Sequence, residues 1–379
     1  MNADLQSVLH QFLPGYRQEH TLTPRQAEVC NHLKVCRTEA LGGVQLHCDH
    51  CAYEQPWYCA CRDRHCPKCQ WCATQDWSDQ QGRNVLPVTY YHLVFTLPHA
   101  LNGWVARYPE VIYRLLFQAV WATLKTFGQN HLQGQLGATM VLHTWGQQLT
   151  RHVHLHCLIP GGAIDPDGQW HAARSTYLFP DRALSRKLRG NLVSRLRQAY
   201  QDEQMPALQS DEVNRLLEQL MQKDWVVYTN PWLKQPQTVI NYLARYTFRT
   251  ALSDARIQSV DEQGVALSYK DYQDNDRWKT LKLKGEELIR RFLLHVMPKG
   301  LMRIRHYGFL ANCCRKKKLA QIRDVLGQPQ PAQQSGETAN DPQGTGPREE
   351  QPDAWHCPHC KKGNLLVTES LAPVRLSSG

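Results

Sequence analysis

The sequence predicts an α+β fold, an antiparallel sheet with helices packed on it, preceded by a small metal-dependent module. Three observations predict it. Alternating β-branched runs cluster over residues 88–160 with helical stretches between them, without the regular strand–helix rhythm of a parallel sheet. Cysteines crowd into residues 30–72. And "TRHVHLHCLIPGG" (150–162) sets three histidines two residues apart.

The cysteine stretch comes first in the chain. "CDHC" (Cys48, Cys51) and "CPKC" (Cys66, Cys69) are separated by fourteen residues. Two C-x2-C turns at that distance have the spacing of a structural zinc site, each turn supplying two thiolates to a tetrahedron. Cys36, Cys61 and His65 are candidates for a second ion, with Cys30, His47, Cys59 and Cys72 behind them, so one or two Zn2+ ions are expected. The stretch is polar and holds no sizeable apolar core, so metal must supply much of its folding energy.

Composition agrees with that reading. No run approaches the roughly 18 apolar residues of a membrane helix, and the first residues lack the apolar segment of a signal peptide. An intracellular, cytoplasmic protein with no membrane partner is expected. There thiols stay reduced, so the 14 cysteines read as metal ligands. A length of 379 residues allows about two or three domains. A formal charge of +10 favours a polyanionic partner.

Further along, "VTYYHLVFTLP" (88–98), "GATMVLHTW" (137–145), the histidine segment and "DWVVYT" (224–229) read as strands. Residues 104–127 place Val111, Leu115, Leu116, Ala119, Val120 and Leu124 on one helical stripe. A basic amphipathic helix follows over roughly 181–199. Within the third strand, His152, His154 and His156 share one face, while Val153, Leu155, Cys157 and Ile159 line the other. The second set faces a core and the first makes a site.

Pro236 followed by a run free of Gly and Pro predicts a helix over 236–257. On it Tyr242 and Tyr246 lie one turn apart on one face, and Arg245 and Arg249 on a neighbouring one. A phenol of pKa near 10 costs about 4 kcal/mol to deprotonate at pH 7. A divalent ion on the histidines, Mg2+ or Mn2+, polarises a scissile phosphate, and the arginines assist at its oxygens. Attack by tyrosine would leave a 5′-phosphotyrosine and a free 3′-hydroxyl, conserving the bond energy for rejoining.

Residues 299–318 carry seven Lys or Arg and no acid. Arg303, Arg305 and Lys316, interleaved with Tyr307 and Phe309, suit a groove that tracks phosphates and stacks bases. Residues 327–354 have the composition of a disordered linker. Beyond it "HCPHC" adds one more pair, Cys357 and Cys360, half of a zinc site or a remnant of one.

Together these segments resemble the HUH (histidine-hydrophobic-histidine) single-strand nucleases. More closely, the chain is similar to the two-tyrosine rolling-circle transposases of the IS91 insertion-sequence family. The resemblance rests on "CRTEALGG" (36–43), "CRDRHCPKCQ" (61–70), "YYHLVFTLP" (90–98), "LHTWGQ" (142–147), "HVHLHCLIPGG" (152–162), "WVVYTNP" (225–231), "YLARYTFRTALSDARI" (242–257) and "RRFLLHVMPKGLMRIRHYGFLAN" (290–312). It implies a helical, zinc-binding DNA-recognition domain over 1–85 and an HUH catalytic domain over 86–326 with a basic C-terminal part. The linker and a zinc knuckle over 355–379 would follow. It further implies that Tyr242 and Tyr246 are the nucleophiles and that His154 and His156 hold the catalytic ion. His143, Gln147 and His152 are candidates for its third ligand. The implied reaction cleaves and rejoins single-stranded DNA at insertion-sequence ends, with terminal hairpins and target DNA as partners and a homodimer as one assembly. A replication initiator or relaxase using the same site is the alternative enzyme. A non-catalytic zinc protein that binds nucleic acid is the alternative outside enzymes.

Overall fold

A computed structural model describes residues 3–70, 85–173, 177–233, 238–239, 249–272, 274–327 and 355–374. Two helices open the chain, α1 (Leu5–Glu19) and α2 (Pro24–Val35). Asp4 caps α1 by accepting from the Ser7 amide, and a Thr23–Gln26 capping box followed by Pro24 starts α2. A hairpin of β1 (Gly43–Cys48) and β2 (Glu54–Tyr58) follows.

The central sheet begins with β3 (Tyr90–Thr96). Helices α3 (Asn102–Arg107) and α4 (Pro109–Leu132) come next, then β4 (Gly137–Trp145), β5 (Arg151–Pro160) and a small hairpin of β6 (Gly162–Ile164) and β7 (Trp170–Ala172). The single helix expected over 104–127 is therefore two. Pro109 lacks the N–H and the clearance to continue a helix, so it restarts one instead. Helices α5 (Asp181–Gln201) and α6 (Ser210–Met221) lead to β8 (Val227–Leu233). This strand starts later than residue 224 because Ser185 Oγ grips both the amide and the carbonyl of Trp225, at 2.7 Å each, and pins that residue to α5.

The expected helix over 236–257 is corrected at its C-terminal end. Asp254–Arg256 form a single 3-10 turn and Ile257 opens β9 (Ile257–Asp261). The Asp254 carboxylate is drawn away to accept from the Leu5 amide at 2.9 Å, capping α1 a second time. A meander of β9, β10 (Gly264–Asp271) and β11 (Arg277–Leu283) follows, then α7 (Gly285–Leu293), β12 (Ile304–Gly308) and α8 (Arg315–Val325). After residues 328–354, which lie outside the described residues along with most of the expected linker, come β13 (Trp355–His356) and β14 (Asn364–Leu371).

The five-stranded sheet runs β12-β4-β5-β3-β8 with every pair antiparallel. Its Leu93, Phe95, Met140, Leu142, Leu155 and Ile159 face a core closed by α4 and α5. A second core joins α1 and α2 to Trp145, Leu252, Val265, Leu288 and Phe292. The N-terminal helices thus share their interior with residues beyond 250. In the same way β14 adds to β1, so the end of the chain completes the N-terminal sheet β13-β14-β1-β2.

Candidate metal centre and nucleic-acid interface

On β5 the alternation places Val153, Leu155, Cys157 and Ile159 in the main core. The histidines face the other way. The antiparallel register sets His143 of β4 opposite His154 and Val141 opposite His156. Nitrogens of His143, His154 and His156 lie within 4.8 Å of one another. The His154 Nδ1–H donates to the His152 carbonyl oxygen at 2.9 Å, which leaves Nε2 to face an ion. His156 Nδ1 lies 2.9 Å from His92 Nε2, a bond that fixes its ring in the same way. Burial, aided by the neighbouring histidines, holds His154 down to about 4 and His156 well below its ordinary value. Both imidazoles are therefore neutral at pH 7, the form that ligates metal.

The other two third-ligand candidates fall outside this group. Gln147 donates its amide to the Tyr272 hydroxyl at 3.1 Å, and His152 pairs with His99 at 3.0 Å. Sequence reasoning had no signal for His92, because its role depends on β3 lying beside β5.

The cysteines form two groups, and their pairing corrects the spacing argument. Cys66 and Cys69 gather with Cys36 and Cys61, whereas Cys48 and Cys51 gather with Cys357 and Cys360. Sγ atoms in the first group stand 3.6 Å apart across Cys36–Cys69, Cys61–Cys69 and Cys36–Cys66. A tetrahedron with Zn–S of ~2.3 Å has edges of ~3.8 Å, so the four thiols fit zinc. The two C-x2-C pairs therefore belong to different sites. His65 belongs to neither, since Nδ1 is engaged by Asp63 at 2.7 Å and Nε2 accepts from the Met297 amide at 3.1 Å. Burial alone would raise the Asp63 carboxyl, but His65 and His32 hold it well below its usual range. Arg64 next to it donates to the carbonyls of Pro298 and Leu301. The cysteine loop thereby holds the segment that leads into β12.

Tyr242, Arg245 and Tyr246 lie outside the described residues. Arg249 is exposed, and its carbonyl accepts from Arg303 at 3.0 Å. Arg303 is lowered to about 10 by burial. The Arg305 guanidinium lies 4.3 Å over the Phe117 ring and lines a groove of about 860 Å³ with Arg114, Lys299, Met302 and His306. Lys316 is exposed on α8. The aromatic part of the expected groove is corrected. Phe309 is fully buried, and Tyr307 stacks on Trp121 with centroids 5.2 Å apart, so their pairing with the core takes the faces expected to stack on bases.

Comparison with known proteins decides the family. A family model described as "Transposase zinc-binding domain" matches residues 8–97, and one described as "Putative transposase" matches 137–318. The chain is 36% identical to "Putative transposase y4qJ" of Sinorhizobium fredii over 97% of this chain and 95% of that one. The chain belongs to the IS91 family of transposases. It is also 25% identical to "Transposase for insertion sequence element IS801" of Pseudomonas savastanoi pv. phaseolicola, over 82% of this chain and 76% of that one. Among solved structures, a likeness to "Conjugative Relaxase TrwC in complex with OriT Dna" has a TM-score of 0.24 and 15% identity over 41% of this chain and 71% of that one. The transposase region matched at 137–318 contains all three clustered histidines, and the matched zinc-binding region contains Cys36, Cys61, Cys66 and Cys69. No helix among the described residues is long and apolar enough to cross a membrane.

Proposed function

We propose that this transposase cleaves and rejoins single-stranded DNA through tyrosine, with a divalent ion held by His143, His154 and His156. The histidine trio is the observation that carries the reading. Three imidazoles converge on the sheet face opposite the helices, with nitrogens close enough to share one ion. Such a nitrogen donor set suits Mn2+ or another transition ion better than Mg2+, which prefers oxygen. When bound, the ion supplies Lewis-acid polarisation of the scissile phosphate.

The chain's own residues do the rest. His92 and the His152 carbonyl hold the ligand rings at their outer nitrogens. Arg249, exposed just beyond the tyrosine segment, would bring positive charge to the phosphate. Tyr242 or Tyr246 attacks phosphorus, the phenol proton passes to solvent or base, and the 3′-oxygen leaves as the hydroxyl. The second tyrosine, four residues along the chain, repeats the step on another strand while the first end stays attached. Arg114, Lys299 and Arg305 along the groove support phosphate contacts flanking the cut.

The test is an adduct assay with oligonucleotides from the element's own ends and Mn2+. A protein–DNA adduct that survives denaturation is expected, lost on chelation and in the Tyr242→Phe, Tyr246→Phe double variant. An adduct that persists in the double variant removes both tyrosines from the chemistry.

A further inference from the structure

We propose that the C-terminal segment is a metal clasp. Cys357 and Cys360 complete, with Cys48 and Cys51, a four-thiolate zinc site that pins residues 355–374 onto the N-terminal hairpin. The sulfurs stand 3.7 Å apart across Cys48–Cys360 and 3.8 Å across Cys51–Cys357. That is the edge of a zinc–thiolate tetrahedron, ~3.8 Å, and far from the ~2.05 Å of a disulfide. Each pair sits in a turn whose amides point at sulfur. The His50 amide donates to Cys48 Sγ at 3.4 Å and the Gly363 amide to Cys360 Sγ at 3.3 Å. Such N–H···S bonds favour the thiolate and orient it. Gly363 is also the residue that lets the two turns meet, since a Cβ there would lie 2.7 Å from Cys48 Sγ and 2.5 Å from the His50 side chain.

The surrounding packing is too thin to hold the segment by itself. Its core consists of Leu46, Cys48, Cys357 and Leu365, with a few half-buried neighbours. β14 pairs along the whole of β1, from Gly43–Leu371 to Cys48–Leu365, but it joins partners 317 to 328 residues apart in sequence. Closing so long a loop costs chain entropy that so small a core does not offset, so the ion supplies the difference. Occupancy of this site therefore governs whether the C-terminal strand docks, independently of the catalytic face.

The test counts metal and follows the segment. Full-length protein is expected to carry one more equivalent of zinc than the Cys357→Ser, Cys360→Ser double variant, measured by elemental analysis. Gly363→Val, which keeps every thiol, is expected to lose the same equivalent. With a protease recognition sequence inserted after Gln334, the cut C-terminal fragment is expected to co-elute with the body when zinc-loaded and to separate after chelation. Equal zinc in wild type and double variant overturns the proposal. So does a fragment that separates while all zinc is retained, or one that stays bound after chelation.

Discussion

His143 was one of three third-ligand candidates in the sequence, because no spacing rule links it to a strand eleven residues on. Strand pairing does so, by setting it opposite His154. His143→Ala and His154→Ala should therefore each lower Mn2+ affinity by on the order of 100-fold, while His152→Ala should change it little. Calorimetric titration of the three variants checks this, and a large loss in His152→Ala alone would move the site. His295 carries a second expectation. Its Nε2–H donates to the Leu149 carbonyl at 3.0 Å and Thr144 Oγ1 lies 3.2 Å from Nδ1. Burial lowers it to about 4. The folded protein keeps this ring neutral while the unfolded chain protonates near 6.5, so its contribution is whole above pH 6.5. It is lost as pH falls toward 4, by about 3 kcal/mol. Urea unfolding of wild type and His295→Gln should show that difference shrinking between pH 7.5 and 4.5; a constant gap would refute it.

Among elements, β4 matched its sequence pattern residue for residue, and α5 nearly so, because alternation and helical stripes are local signals. The meander and α7 were not legible, since α7 is amphipathic only toward α1 and the meander is half exposed. The α1–α7 contact turns on Gly285, where a Cβ would lie 2.0 Å from Phe12 Cγ. Gly285→Ala should cost about 1–3 kcal/mol by overpacking. Phe12→Leu in the same chain should return part of it, giving a non-additive double-mutant cycle in thermal melts. Additive losses would place the strain elsewhere.

At the level of the whole molecule, hydrophobic patterning marked where segments begin and end but not which segments share an interior. The family resemblance implies a domain over residues 1–85, and within it Leu9, Phe12 and Val29 share a core with Leu288 and Phe292. A fragment of residues 86–327 should consequently expose that second core, bind a hydrophobic dye and aggregate. A monodisperse fragment with full near-ultraviolet dichroism would restore the independent domain. The same limit explains the cysteines, whose spacing named the ligands but not their partners across the chain.

The loop carrying Cys61, Cys66 and Cys69 also carries Arg64 and His65, which hold residues 297–301 by their backbone. That stretch is the lip of the groove and the lead-in to the sheet's edge strand. Oxidant or chelation that strips the first ion would slacken this tether and let the lip of the groove move while the histidines stayed in place.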